Sequence, residues 1–300
     1  NKFTNSRSIL KLEKVLEKRR VIKNTNISVV SKMLKDIRKN KNKALIKYEK
    51  KFSKNSRIKP SSGEINKAIR SLNPKIKKAI DYAYNRIFKY HSLQKVKNIN
   101  YRDKLKNTFH YRSVPINKVG IYVPANLPST LLMNAVPAKI AGVKKIILAN
   151  PRLNNELNPA VIYAARKLGI KEIYSIGGAQ AIGSLTYIQK VDKIVGPGNI
   201  YVAKAKKEVF GDIGVEGMVA GPSEITVVAD KKTEIKSVIT SLIGQAEHDV
   251  NSQSILISKD LSFLKEIKNL IKINLKNLPR RKIAEKSLKA NGLLIHAKND

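Results

Sequence analysis

Between residues 27 and 52 the apolar residues fall at Val30, Met33, Leu34 and Ile37, then at Leu45, Ile46, Tyr48 and Phe52, with lysine filling the opposite positions. Steps of three and four put these residues on one face, so the pattern predicts an amphipathic helix. A second helical stretch is predicted over 64–94, interrupted near Pro74, where the ring cannot continue a helix. Its aromatic residues, Tyr82, Tyr84, Phe88 and Tyr90, read as packing residues.

After Pro115 the pattern changes to short β-branched runs alternating with helical ones. Strands are predicted over 118–123, 145–149, 172–176, 193–195, 225–229, 254–258 and 292–296, and helices over 130–141, 159–168, 179–187, 200–210, 233–248 and 261–275. Strands apolar on both faces, separated by helices, imply parallel sheets covered by helices: an α/β fold preceded by a helical N-terminal region. In such sheets ligands collect at the carboxyl ends of the strands. Glycine and proline cluster there, at Pro124, Gly177-Gly178, Gly196-Pro197-Gly198 and Gly221-Pro222-Ser223, and four turns are expected to face one rim.

Composition changes this picture little. With 42% hydrophobic residues the chain is globular despite a formal net charge of +38. The lysines are spread along the helices among asparagine and isoleucine, as in 35–43 and 268–276, so a general compositional bias is expected rather than a specific nucleic-acid surface. No cysteine is present, which leaves histidine, carboxylate and amide groups as the possible metal ligands. Apolar runs such as 131–149 are broken by Pro137, Lys139, Lys144 and Lys145, so no membrane span is expected. Residues 1–20 are charged throughout and lack the apolar centre of a signal peptide, pointing to a cytoplasmic protein. The chain starts at Asn1 and stops at Asp300, just after the apolar run 292–297, and both ends read as cut.

Several residues carry candidate chemistry. Gly177-Gly178 between a strand and a helix allows backbone N–H groups to approach phosphate, and Gln180 follows at the helix start, where it either bonds a ribose or amide or caps its own turn. Asn199 after Gly196-Pro197-Gly198 is a cap or a ligand, and Tyr122 ends its strand as a core residue or a stacking platform. Gln245 and His248, three apart at a helix end, leave one face and can meet one ion or one substrate, although histidine is also favoured there by the helix dipole. His91, His110 and His296 have no partner at metal-ligand spacing.

Taken in order, the runs 119–124, 128–142, 177–182, 190–203, 220–224 and 245–249 resemble the histidinol dehydrogenase family. The resemblance extends to the helical pattern of the N-terminal third. It implies Rossmann-like sheets and oxidation of L-histidinol to L-histidine in two steps with NAD and zinc, by a homodimer. By resemblance Tyr122, Gln180 and Asn199 contact NAD, Ser223 contacts substrate, and Gln245 and His248 bind both zinc and substrate. It further implies an NAD-binding domain over 116–222, with 1–115 packing with 223–300 as one discontinuous domain. Ala125-Asn126 stands where the family has a Gly-Gly turn and a longer loop, and a second shortening lies between Tyr187 and Lys190. The family's Glu-His acid/base pair and its further zinc ligands match positions beyond Asp300, so no catalytic residue is assigned and the 300 residues alone are expected to be inactive. Two alternatives stand beside this reading: a related alcohol dehydrogenase with another substrate, and a basic nucleic-acid-binding scaffold without catalysis.

Overall fold

The computed structural model describes residues 10–16, 28–216 and 223–297. The chain divides into two compact units, residues 25–219 and residues 220–300 together with 1–24.

The larger unit opens with α2 (Ser28–Ser53), which follows a short helix α1 over residues 10–16 of the other unit. Its stripe Val30, Met33, Leu34, Ile37, Ala44, Leu45 and Tyr48 is buried, and two helical runs meet at Lys41, whose φ is 47°. Helix α3 (Ser62–Arg70) starts with a capping box: Ser61 Oγ accepts from Glu64 N–H and Glu64 Oε2 accepts from Ser61 N–H. Helix α4 (Pro74–Ser92) begins at Pro74 behind the cap Asn73, so the predicted interruption is a helix start. A two-stranded antiparallel hairpin follows, β1 (Ile99–Arg102) and β2 (Thr108–Tyr111), exposed along its length.

The sheet of this unit comprises β3 (Lys118–Tyr122), β4 (Lys145–Ala149), β5 (Glu172–Tyr174), β6 (Lys193–Val195) and β7 (Gly214–Val215). All are parallel, in the order β5-β4-β3-β6-β7, and α5 (Pro128–Ile140), α6 (Pro159–Lys167), α7 (Gly178–Tyr187) and α8 (Ile200–Val209) make the crossovers. The strand order reverses at β3, so the crevice where such sheets take ligands lies between β3 and β6. One face is covered by α2, α7 and α8 through Ile37, Leu45, Ile182 and Val202; the other by α3–α6 through Ile80, Leu131, Leu132 and Ile162. Gly183 permits the approach of α2 to α7, since a Cβ there would stand 3.0 Å from Ile37.

This packing corrects the domain division drawn from the sequence. The apolar faces of α2, α3 and α4 are buried in the two cores of the five-stranded sheet, because those faces complement its covering helices, so residues 28–115 belong with 116–216. Tyr82 and Tyr90 are not packing residues either: they are 64% and 61% exposed, on the outer side of α4.

The smaller unit holds β8 (Glu224–Val228), α9 (Ile235–Ala246), β9 (Gln253–Ser258), α10 (Leu261–Leu275), α11 (Arg281–Asn291) and β10 (Gly292–His296). Its strands form a parallel sheet in the order β10-β9-β8, with a core of Val238, Leu242, Leu256, Phe263 and Ile267. Strand β9 is the buried centre, whereas β8 alternates exposed and half-buried residues, against the expectation of strands apolar on both faces. No described helix is long and apolar enough to cross a membrane.

Candidate functional site

At the carboxyl edge of the five-stranded sheet three loops carry the predicted cofactor residues. Tyr122 ends β3 and is buried; its hydroxyl accepts from Gly178 N–H at 3.3 Å, and burial pushes the phenol upward in pKa. Gly177 and Gly178 turn the chain from β5 into α7, and Gln180 in the first turn is buried, its Nε2 donating to Glu49 Oε1 at 2.9 Å. Asn199 is the N-cap of α8: its Oδ1 accepts from Tyr201 N–H and Val202 N–H, both at 3.1 Å.

The β6–α8 turn is held from beneath. Gly196 has φ +106°, and a Cβ there would stand 2.0 Å from the Tyr122 carbonyl oxygen, so only glycine lets this turn lie against the end of β3. Lys206 of α8 is buried and donates to the Gly196 carbonyl and to Glu216, while Glu216 Oε2 accepts from Gly196 N–H at 3.2 Å. On the neighbouring loop Asn150 Nδ2 donates to the carbonyls of Val123 and Pro124 at 3.0 and 3.1 Å, fixing the end of β4 to the end of β3.

Glu49, Lys206 and Glu216 were not singled out from the sequence. For Glu49 the signal was present: an acidic residue one turn after Leu45, inside the apolar stripe of α2. It is fully buried, accepts from Gly177 N–H as well as from Gln180, and burial raises its carboxyl above the usual range against the pull of those bonds.

The other predicted residues lie in the smaller unit, at the amino edge of its sheet. Ser223, exposed, precedes β8, and its carbonyl accepts from Gln253 N–H at the start of β9. Gln245 lies in the last turn of α9 and His248 just beyond its C-cap Glu247; the helix runs back across the sheet and delivers them to this same edge. Beyond His248 the chain is turned by Asp249, whose Oδ1 accepts from Asn251 N–H and whose N–H donates to Ser252 Oγ. The side-chain Nε2 of Gln245 is buried with no hydrogen-bond partner among the described residues, and His248 is exposed. Gln253 Nε2 donates to Glu224 Oε2 at 2.9 Å beside them. Among the described residues no group of three or more His, Asp or Glu side chains is placed to hold a metal ion.

Three of the four special turns share one rim. Those at Pro124, Gly177 and Gly196 mark the carboxyl edge of one sheet, whereas Ser223 stands before a strand of another; Gly221 and Pro222 lie outside the described residues.

Residues 16–300 match the family model for histidinol dehydrogenase. The chain is 56% identical over 296 residues to the histidinol dehydrogenase of Pelagibacter ubique (strain HTCC1062), covering 96% of this chain and 69% of that protein. With the histidinol dehydrogenase of Rhizobium meliloti (strain 1021) it shares 40% identity over 289 residues, 93% of this chain and 66% of that one. The crystal structure of histidinol dehydrogenase from Elizabethkingia anophelis superposes with a TM-score of 0.87 at 36% identity, covering 95% of this chain and 69% of that chain. With the fold, the order of motifs and these matches in agreement, the chain belongs to the histidinol dehydrogenase family.

Proposed function

We propose that this chain carries the cofactor-binding and part of the substrate-binding apparatus of an NAD-dependent enzyme that oxidises L-histidinol to L-histidine, the closing steps of histidine biosynthesis. The observation that carries the reading is the arrangement of Tyr122, Gln180 and Asn199 along one carboxyl edge. Each uses one polar atom inside the fold and keeps another: the Tyr122 proton, the Gln180 carbonyl and the Asn199 amide N–H groups. These residues fit a dinucleotide and would hold NAD, which supplies a hydride acceptor for the alcohol carbon when bound.

Zinc fits less well. Gln245, with its unpartnered buried amide, and His248 supply two ligands, against about four in a typical zinc site. The described residues do not complete such a site. Ser223, Gln245 and His248 would bind the imidazole and amino alcohol of the substrate at the amino edge of the smaller sheet. We place the homodimer, the cytoplasmic location and the lack of a specific nucleic-acid partner in the same reading. Self-association is supported by the hairpin face Ile99, Tyr101, Phe109 and Tyr111, each more than half exposed. The alternatives, another alcohol substrate or a nucleic-acid scaffold, gain no support from the matches.

Calorimetric titration of the chain with NAD tests the reading, alongside an assay of NADH formation from L-histidinol. Saturable NAD binding that weakens in Asn199→Leu, with negligible turnover by the 300 residues, is expected. Failure to bind NAD at millimolar concentration would overturn the cofactor assignment, and robust zinc-dependent NADH formation would overturn the claim of inactivity.

A further inference from the structure

The buried carboxyl of Glu49 determines what the turn above it can offer a ligand. Its Oε1 accepts from Gly177 N–H and from Gln180 Nε2, both at 2.9 Å, and the Ser53 hydroxyl also approaches the carboxyl and pulls its pKa down. Oε1 is an acceptor whether the group is a carboxylate or an acid whose proton sits on Oε2, so the atom of Gln180 that faces it is the NH2 group. The remaining polar atom of that amide is then the carbonyl Oε1, which lies beside Gly178, 2.9 Å from where a Cβ would stand. The N–H donors of the glycine turn are already engaged, Gly177 by Glu49 and Gly178 by the Tyr122 hydroxyl. A turn that looks like a phosphate cradle in the sequence therefore presents an acceptor in the structure.

We infer that Glu49 is a positioning residue for cofactor binding: it fixes the Gln180 amide so that the carbonyl oxygen is the atom offered to the cofactor. Gln180 then accepts a hydrogen bond from a ribose hydroxyl or a carboxamide N–H, and the pyrophosphate, which carries only acceptors, lies away from the Gly177-Gly178 turn. The inference rests on the reading that Gln180 contacts NAD, and it adds which part of the dinucleotide that contact takes.

The isosteric change Glu49→Gln keeps an oxygen for both donors, whereas Glu49→Leu removes it and frees the Gln180 amide to rotate. Dissociation constants for NAD and for inorganic pyrophosphate are measured on the wild type, on both variants and on Gln180→Leu, with circular dichroism to establish folding. Glu49→Leu and Gln180→Leu are each expected to weaken NAD binding about tenfold, the equivalent of one lost hydrogen bond, and to leave pyrophosphate binding unchanged. Glu49→Gln is expected to restore NAD binding to about the wild-type level, a rescue that a loss of packing alone would not give. Should Glu49→Leu not fold, Glu49→Ser, too short to reach Gln180, takes its place with the same expectation.

If Gln180→Leu weakens NAD binding and the Glu49 variants do not, the positioning role is refuted while the cofactor site survives. If Gln180→Leu weakens pyrophosphate as much as NAD, the carbonyl-outward orientation is refuted. If Gln180→Leu leaves NAD binding unchanged, the cofactor reading fails at this residue and the inference falls with it.

Discussion

The carboxyl edge of the five-stranded sheet and the amino edge of the three-stranded sheet differ in how many side chains brace their turns. At the first, Tyr122, Gln180 and Asn199 are each bonded to a backbone or side-chain partner, and the turns beneath them are fastened by Glu49, Lys206, Glu216 and Asn150. At the second, the Nε2 of Gln245 is buried without a hydrogen-bond partner among the described residues, and Ser223 and His248 stand exposed. Buried groups are ordinarily paired, and an orphan amide in water-poor surroundings costs about 1–3 kcal/mol. The first edge is thus braced by side chains from neighbouring elements, yet each edge keeps a buried polar atom without a hydrogen-bond partner among the described residues, Asn150 Oδ1 at the first and Gln245 Nε2 at the second.

The comparison breaks most easily at Gly196. Alanine there meets both a φ of +106° and a carbonyl oxygen 2.0 Å from its Cβ, so β3 and the β6–α8 turn have to separate. The expected loss is about 3 kcal/mol or more, read as a lowered denaturant midpoint, together with loss of NAD binding. A Gly196→Ala protein of wild-type stability would mean that the edge is not tightly built.

A smaller effect, with a defined sign, follows from the Glu49 carboxyl. Its folded-state pKa is raised above the usual 4.5 by burial, so the folded protein retains a proton that the unfolded chain releases. Below about pH 4.5 both states are protonated and the difference vanishes; as pH rises through the folded-state value, stability is lost, and above it the full cost applies. Glu49→Gln removes that cost. Its melting temperature is expected to exceed the wild type's at neutral pH and to converge with it near pH 4. A constant gap across that range would show that folding does not shift the carboxyl's titration.

How much of this was legible in the sequence depends on whether a feature is local. The parallel strands and their helices were, because β3 and β4 are apolar runs bounded by turn residues, and caps such as Asn199 and Ser61 announce helix starts. The hairpin β1–β2 was missed although Ile99, Tyr101, Phe109 and Tyr111 alternate with polar residues, since four-residue strands carry too short a pattern to stand out beside a helix. Helix α11 was missed because most of its positions are polar, leaving Ile283, Ala284 and Leu288 as its apolar stripe. The site residues were named through family motifs, while their partners were not. Glu49 meets Gln180 across 131 positions, and no spacing rule connects them. The domain boundary failed for the same reason, since the faces of α2–α4 are generic apolar stripes that do not encode which sheet they cover.

The finest test of the comparison is Gln245→Leu. Leucine keeps most of the glutamine's volume and removes the buried Nε2 donor that has no partner. If that donor is unsatisfied in solution, its removal is expected to leave stability unchanged or to raise it by up to about 1 kcal/mol, seen as a small rise in the unfolding midpoint. The same change removes one of the two candidate metal ligands, so any shift of the wild-type melting temperature by added zinc is expected to disappear. Destabilisation by more than about 1 kcal/mol would mean that the amide already has a partner, such as an ordered water. The Gln245 amide would then not be a group waiting for a ligand.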